Sequence, residues 1–389
     1  MVRSLVYGTV ILIVLTGAVL AALALRNRDI GSLPVAPSSL PSVTTMTPAA
    51  AESPTPPQPA VLDDRFGFLV HSRDFTVRSE TSDAVISSFA SKSRSFTFLS
   101  RVVSPDGRFV AYWDRVDASP VLHVRSVTGG NARAVLVGRP EMSGNAFTWS
   151  SDSAGLVAAL DNGCQEICGG PRVAELWTVD LASGATEKVA AGSIWLPVAW
   201  DRAAMLIAAG VTGPGGYLIG YDVVDLSQQP HPVRSTAFHP TVAGRLKASG
   251  DAHYVLLSAA VEGGGSSLAW WPIAEPEKRS TVAFDGQNAE WRPGTSEIWW
   301  VGGLQPPDCR IEPCTGTQLV SINVATGSRT VVAQRRFGSL LEGFRIDGTA
   351  AIIAASGSVR SEITFLEIAT GRRAAVTLSG SLEGVVRFR

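Results

Sequence analysis

A short pattern that returns six times constrains this chain more than any other feature of its sequence. Each copy joins a short stretch to a tight turn and then to a strongly apolar stretch, and successive copies begin 43 to 54 residues apart. The copies are VVSPDGRFVAYW (102–113), TWSSDSAGLVAAL (148–160), AWDRAAMLIAA (199–209), KASGDAHYVLLSAA (247–260), EWRPGTSEIWWVG (290–302) and FRIDGTAAIIAA (344–355). A repeat of this length is typical of the four-stranded blades of a β-propeller.

A second turn motif recurs later in most of the repeats. Examples are WTVDLASGATEKV (177–189), SINVATGSRTVV (321–332) and FLEIATGRRAAV (365–376). The Asp or Asn of such a turn can accept backbone N–H bonds, and the Gly supplies the positive φ that the turn needs. The apolar residues that alternate on both sides predict the third and fourth strands of each blade.

The two ends of the repeated region complete the ring. Three further strands are predicted at 66–72, 74–80 and 84–90, and one at 381–389. One C-terminal strand and three N-terminal strands would form a shared closing blade, which leaves the ring without an open edge. The sequence therefore predicts an all-β, seven-bladed β-propeller of four-stranded blades over residues 61–389, with a six-bladed ring as the alternative.

The combination of an SPDG-like turn, an apolar strand and a VDxxTG-like turn resembles the TolB-type β-propeller repeat, a relative of the WD-repeat class. The resemblance covers residues 61–389 and is carried by Ser104–Gly107, Trp149–Asp152, Trp200–Asp201, Trp291–Pro293, Asp180–Gly184 and Asn323–Gly327. It implies an envelope-located protein that scaffolds other proteins or binds ligands.

The N-terminal region is expected to anchor the chain in a membrane. Residues 5–25 carry no charge, and a helix of this length spans about 30 Å, the thickness of a bilayer's hydrocarbon core. We predict a short cytoplasmic N-terminus (1–4), a transmembrane signal anchor (5–25) and a Pro-rich disordered stalk (26–60). A cleaved signal peptide is the alternative, because small alanines lie at the end of the apolar stretch.

The cysteines fall into two close pairs, and they favour an oxidising compartment. We expect local disulfides Cys164–Cys168 and Cys309–Cys314. The predicted location is the cell membrane, with a single pass and the propeller outside the cytoplasm. A net charge of −1 gives no indication of nucleic-acid binding.

Familiar catalytic motifs are absent from the sequence. There is no G-x-S-x-G motif, and the histidines are scattered at positions 71, 123, 231, 239 and 253. We therefore expect no catalytic residue, no metal site and no cofactor, and a chain that is not an enzyme. The predicted function is a membrane-anchored protein-interaction or ligand-binding module. The alternative is an envelope enzyme (a lyase, lactonase or glycan hydrolase) that uses the central cavity of the propeller.

The two cysteine-containing loops, 161–172 and 302–317, are predicted to lie on one face of the ring, where they would bind an unidentified envelope protein or glycan. The alternative is that long loops are only tolerated there. The candidate binding face comprises Gln165, Glu166, Arg172, Trp195, Asp308, Arg310 and Glu312. The pair Trp270 and Trp271 is a further candidate for stacking on a glycan or peptide.

Overall fold

In a computed structural model, the chain folds into a ring of β-sheets. The structure describes residues 62–71, 74–82, 84–89, 102–161, 174–213, 217–242, 244–261, 265–303, 316–337, 340–356 and 360–388. Within these ranges every regular element is a β-strand. The predicted all-β class is confirmed.

The strands fall into seven sheets, which are the seven blades of a propeller. Blade 1 contains β1 (Phe66–His71), β2 (Phe75–Ser79) and β3 (Val85–Phe89); blade 2 contains β4 (Phe109–Val116), β5 (Ser119–Ser126) and β6 (Arg133–Val137). Blade 3 contains β7 (Ser143–Trp149), β8 (Gly155–Asp161), β9 (Ala174–Asp180) and β10 (Thr186–Gly192). Blade 4 contains β11 (Ile194–Asp201), β12 (Leu206–Thr212), β13 (Leu218–Asp225) and β14 (Val233–Val242).

The remaining blades continue the same order around the ring. Blade 5 contains β15 (Gly244–Ala248), β16 (Tyr254–Val261), β17 (Gly265–Pro272) and β18 (Ser280–Phe284). Blade 6 contains β19 (Gln287–Trp291), β20 (Glu297–Gly302), β21 (Gly316–Asn323) and β22 (Arg329–Phe337). Blade 7 contains β23 (Leu340–Phe344), β24 (Ala350–Ser356), β25 (Arg360–Glu367) and β26 (Arg373–Ser379), and β27 (Ser381–Arg387) follows it.

The shared closing blade is confirmed. The last strand, β27, pairs antiparallel with β1, for example Phe66 with Arg387, and forms the inner edge of blade 1. In blade 2 the inner position is held by Val103, which bridges to Val110 of β4. Seven blades are therefore present, and the six-bladed alternative is wrong.

A buried ion pair joins blade 7 to the closing blade. The guanidinium of Arg345, just after β23, contacts the carboxylate of Glu80, just after β2. The side chain of Glu80 is fully buried and that of Arg345 is 10% exposed. The guanidinium also lies over the ring of Phe66, with 5.2 Å from its central carbon to the ring centroid. This pair links residues that are 265 positions apart in the sequence.

The tryptophans of the repeat join neighbouring blades. Trp149 is buried at the end of β7, and its Nε1 donates to the carbonyl of Val102 in blade 2 at 3.3 Å. Trp291 makes the equivalent bond to the carbonyl of Lys247 in blade 5, also at 3.3 Å. A buried indole N–H needs an acceptor, and here the inner strand of the preceding blade provides it.

The SPDG-like turns are hydrogen-bonded units. The hydroxyl of Ser104 donates to Oδ1 of Asp106 at 2.6 Å, and the backbone N–H of Arg108 donates to the same oxygen at 3.1 Å. Blades 3 and 5 repeat the Ser-to-Asp bond at 2.6 and 2.5 Å. These aspartates therefore stabilise the turn between the first and second strands.

The alternating strand directions give the propeller two mouths. We call the end that carries the SPDG-like turns, such as Ser104–Gly107, the turn mouth. The connections from the second to the third strand lie at the opposite end, which we call the loop mouth. Strands β8 and β20 end at the loop mouth, and β9 and β21 begin there; the segments 162–173 and 304–315 between them lie outside the described residues.

The predicted anchor and stalk, residues 1–60, lie outside the described residues. Within the described ranges, no helix has the length and apolar character needed to cross a bilayer. The boundaries of the four predicted segments stay predictions.

Candidate functional site

The inner strands of the blades enclose a cavity of about 820 Å³ along the ring axis, which we call the central channel. Part of its wall is apolar and is formed by residues such as Val103, Pro197 and Val198 of blades 2 and 4. Apart from the turn aspartates Asp106, Asp152 and Asp251, the charged side chains that line the channel belong to blades 5, 6, 7 and 1. They are Arg245, Lys247, Glu290, Glu342 and Glu383. The channel therefore has one apolar wall and one ionisable wall.

The ionisable wall contains a connected network that extends over three blades. The ammonium of Lys247 on β15 forms an ion pair with Oε1 of Glu290 on β19. The same ammonium donates to Oδ1 of Asn288 at 2.8 Å and to the carbonyl of Ala289 at 3.2 Å. All three donors of Lys247 thus have an acceptor within blade 6. We call Arg245, Lys247, Asn288, Glu290 and Glu342 the channel cluster.

Asn288 connects this network to blade 7. Its Nδ2 donates to the carbonyl of Leu341 at 2.7 Å and lies 3.4 Å from Oε2 of Glu342. The orientation of the amide follows from its partners, because a carbonyl only accepts and an ammonium only donates hydrogen bonds. Asn288 therefore lies between the cation of blade 5 and the carboxyl group of blade 7.

Two β-bulges shape this wall. The register of β19 against β20 shifts between Gln287 and Glu290, and the register of β23 against β24 shifts between Leu341 and Gly343. Glu342 is the extra residue of the second bulge. The closing blade has the same feature, since the shift between β27 and β1 leaves Glu383 as its extra residue. Bulges redirect side chains and are frequent beside active sites, and here they direct carboxyl groups toward the channel.

The carboxyl group of Glu342 has a strongly altered acidity. Its pKa is raised from 4.5 to about 7, chiefly because the group is buried and also because the carboxylate of Glu290 lies nearby. The positive charges of Lys247 and Arg245 act in the opposite direction. Burial also raises the pKa of Glu383. A group with a pKa near 7 exchanges protons readily at neutral pH, which is what general acid–base catalysis requires.

Arg245 differs from Lys247, although both lie on β15 two residues apart and so face the same side of the sheet. Arg245 is exposed and lines the channel. Among the described residues, its guanidinium has neither a hydrogen bond nor an ion pair. Lys247 is committed to protein acceptors, whereas Arg245 can bind an anion in the channel.

Of the seven residues of the predicted binding face, the structure describes Trp195 alone. Gln165, Glu166, Arg172, Asp308, Arg310 and Glu312, and the four cysteines, lie outside the described residues. Trp195 is 2% exposed, and its Nε1 donates to Oδ2 of Asp222 at 2.8 Å. Trp270 and Trp271 are 5% and 1% exposed. The expectation that these tryptophans offer their rings to a partner is corrected, because all three pack in the core.

The channel cluster was not predicted from the sequence, although one signal for it is present there. Lys247 and Glu290 occupy the position that Thr148 and Ala199 hold in other copies of the repeat. Charged side chains at one position of an otherwise apolar inner strand indicate a feature that blade packing does not need. In the described part of the chain, no group of three or more His, Cys, Asp or Glu residues could hold a metal ion.

No family model matches the chain, and no curated protein matches it. Solved structures show the fold. An oligogalacturonate lyase in complex with manganese aligns with a TM-score of 0.51 and 13% identity, over 79% of this chain and 82% of that one. The oligogalacturonate lyase of Vibrio parahaemolyticus gives 0.51 and 11%, over 79% and 83%. TolB from Acinetobacter baumannii gives 0.42 and 12%, over 83% and 82%.

These likenesses correct one expectation. The absence of familiar motifs predicts that the chain is not an enzyme, but the two structures with a TM-score of 0.51 are lyases built on the same scaffold. At 11–13% identity the likeness itself shows the fold alone. Groups that act in a propeller channel come from different blades, so an active site in this fold need not show as a local sequence motif. The relation to the WD-repeat class stays a prediction.

Proposed function

We propose that this chain is an enzyme of the lyase class, and that it cleaves an acidic oligosaccharide in the central channel. The observation that carries the proposal is the composition of the ionisable wall. Glu342, with a pKa of about 7, lies in the same cluster as the exposed cation Arg245. An elimination from a sugar acid needs a base that removes a proton and a cation that neutralises the carboxylate of the sugar.

The chemistry assigns one role to each residue. The proton on the carbon next to the sugar's carboxylate is acidic only when the negative charge of that carboxylate is neutralised. Arg245 would bind the carboxylate through its planar guanidinium. The ionised carboxyl group of Glu342 would remove this proton. The bond between the adjacent ring carbon and the oxygen that links the two halves of the oligosaccharide would then break, and a double bond would form between the two carbons. The departing oxygen leaves with the other half of the oligosaccharide and takes up a proton from water.

Among the enzyme classes that the sequence left open (lyase, lactonase and glycan hydrolase), the comparisons support the lyase. Two oligogalacturonate lyases share the fold and match most of this chain. The manganese of one of those structures is not carried over, because the described residues offer no group of three or more suitable ligands.

The proposal is tested with the full chain and a panel of oligosaccharides. Oligogalacturonate and other uronate oligomers are compared with neutral oligomers of equal length, and the double bond of the product is followed by its ultraviolet absorbance. We expect product only from uronates, and a loss of at least about 100-fold in Glu342→Gln, as for removal of a general base. Glu362→Gln, an exposed carboxyl of the same blade, is the control and retains full activity.

Two outcomes contradict the proposal. One is that no uronate oligomer yields an unsaturated product. The other is that cleavage occurs with a saturated product, which would indicate hydrolysis by a pair of carboxyl groups.

The proposed site of action is the outer side of the cell membrane, with residues 5–25 as the anchor and local disulfides in the two cysteine-containing loops. The support is the uncharged stretch, the stalk composition and the spacing of the cysteines. Alkaline extraction of membranes, protease treatment of intact cells and non-reducing peptide mass spectrometry test these three parts. Release of the chain by alkali contradicts the anchor, protection from protease contradicts the orientation, and free thiols contradict the disulfides.

A further inference from the structure

Asn288 has a backbone conformation that is unusual for a residue in a β-strand. Its φ is 55°, in the left-handed region that residues other than Gly rarely adopt, and it lies inside the bulge of β19. Asn tolerates this region better than most residues. Such conformations in a β-strand are retained where the surroundings hold them, and they concentrate at functional sites.

The side chain of Asn288 uses that conformation to reach two other blades. Oδ1 accepts from Lys247 of blade 5 at 2.8 Å, and Nδ2 donates to the Leu341 carbonyl of blade 7 at 2.7 Å. Nδ2 also lies 3.4 Å from Oε2 of Glu342. In the described part of the chain, Oε1 of Glu342 accepts no hydrogen bond. One oxygen of the carboxyl group is therefore held by the protein, and the other is available to a ligand in the channel.

We infer that Asn288 is a positioning residue, which fixes the carboxyl group of Glu342 and stabilises its ionised form for proton transfer. The inference rests on the proposed function. A donor that contacts a carboxylate oxygen favours the charged state, whereas burial and Glu290 favour the neutral state. The charged groups that act on Glu342 are Glu290 of β19 and Lys247 and Arg245 of β15. Asn288 contacts both Lys247 and Glu342, so it also keeps the cation and the carboxyl group in a fixed relation.

The test is a direct titration of Glu342 that needs no substrate. The Glu side-chain carboxyl carbons of the full chain are labelled with ¹³C, and Glu342→Gln identifies the resonance. In Asn288→Gly the φ is tolerated and the amide is removed. We expect the midpoint of the Glu342 titration to rise by about one pH unit, because one hydrogen bond to a charged group is lost. Asn288→Asp keeps the shape of the side chain and places a negative charge beside Glu342, so it should raise the midpoint at least as much.

A matched control separates positioning from folding. Asn323 lies in the same blade, where its Oδ1 accepts from the backbone N–H groups of Ala325 and Thr326 in an exposed turn. Asn323→Gly should lower the melting temperature and leave the Glu342 titration unchanged. A midpoint in Asn288→Gly and Asn288→Asp that equals the wild-type value, or lies below it, overturns the inference.

The result is independent of turnover. A wild-type chain that cleaves no uronate contradicts the proposed function, while the titration still decides the role of Asn288. Where turnover is present, the pH at which the rate reaches half its maximum should rise together with the titration midpoint. A variant with lower activity and an unchanged pH profile would assign Asn288 a structural role only.

Discussion

Replacement of Glu342 by Gln should stabilise the protein at alkaline pH and leave its stability unchanged at acid pH. Folding raises the pKa of this carboxyl group from 4.5 to about 7, mainly by burial. The folded protein therefore binds the proton more tightly than the unfolded chain. As the pH rises from about 4.5 to about 7, the free energy of unfolding falls, and above that range the full cost of the ionised carboxylate is present.

The magnitude follows from that difference of about 2.5 pH units. Each unit corresponds to about 1.4 kcal/mol, which gives an upper value near 3.4 kcal/mol. Glu342 lines the channel and is only partly buried, so solvent reduces the cost, and we expect about 2 kcal/mol. A Gln at this position has the shape of the protonated Glu and has no charge to desolvate.

Urea unfolding of the wild type and Glu342→Gln at about pH 8 and about pH 4 measures the effect. The variant should be more stable at the higher pH and equal at the lower pH. Glu362→Gln is the control, and it should change the free energy of unfolding by less than about 0.5 kcal/mol at both pH values. A variant that is less stable than the wild type at about pH 8, or equally stabilised at both pH values, would refute the reasoning.

Two further predictions concern the closure of the ring. Arg345→Met leaves the fully buried Glu80 without its cation, so the free energy of unfolding should fall by about 3–5 kcal/mol. The double variant Arg345→Met/Glu80→Gln should regain part of this lost stability, because no charge is then buried without a partner. Urea unfolding measures both variants, and a loss below about 1 kcal/mol in the single variant would contradict the importance of the pair. A chain that ends at Gly380 lacks β27 and exposes the edge of β1. It should therefore be digested at a much lower protease concentration than the full chain. Removal of Arg389 alone is the control and should leave protease resistance unchanged.

The fold could be predicted because each blade repeats the same local chemistry. The Ser-to-Asp turn and the inter-blade bond of Trp149 or Trp291 depend on residues at fixed positions of the repeat. The closing blade follows from the strands at the two ends of the chain, which pair as β27 with β1. Periodicity and turn chemistry are local signals, and a single sequence contains them in full.

The candidate site could not be predicted in the same way, because it depends on which side chains the closed ring directs toward its channel. Glu342 and Glu383 reach the channel as the extra residues of β-bulges, which the inner strands β7, β11 and β19 also contain, and the sequence does not show where these bulges lie. Lys247, Glu290 and Glu342 come from three blades, and only the closed ring brings them together. The pKa of Glu342 depends on burial and on those neighbours, so it needs the three-dimensional arrangement.

The prediction for Trp195 was wrong for a similar reason. Trp195 is the second residue of the inner strand β11, and the sequence does not show which side of the blade it faces. In the structure its N–H reaches Asp222, 27 residues later on the third strand of the same blade. A buried acceptor at that distance satisfies the indole, so the ring packs in the core and does not face a partner.

The pH dependence of uronate cleavage tests the central claim most directly. The rate of unsaturated-product formation by the full chain is measured under conditions of low substrate, which report the free enzyme. We expect a rate that rises with pH and reaches half its maximum at about pH 7, since Glu342 must be ionised to remove the proton. Glu342→Gln should lose this activity. A rate that does not change across neutral pH, or full activity in Glu342→Gln, would contradict the assignment of Glu342 as the base.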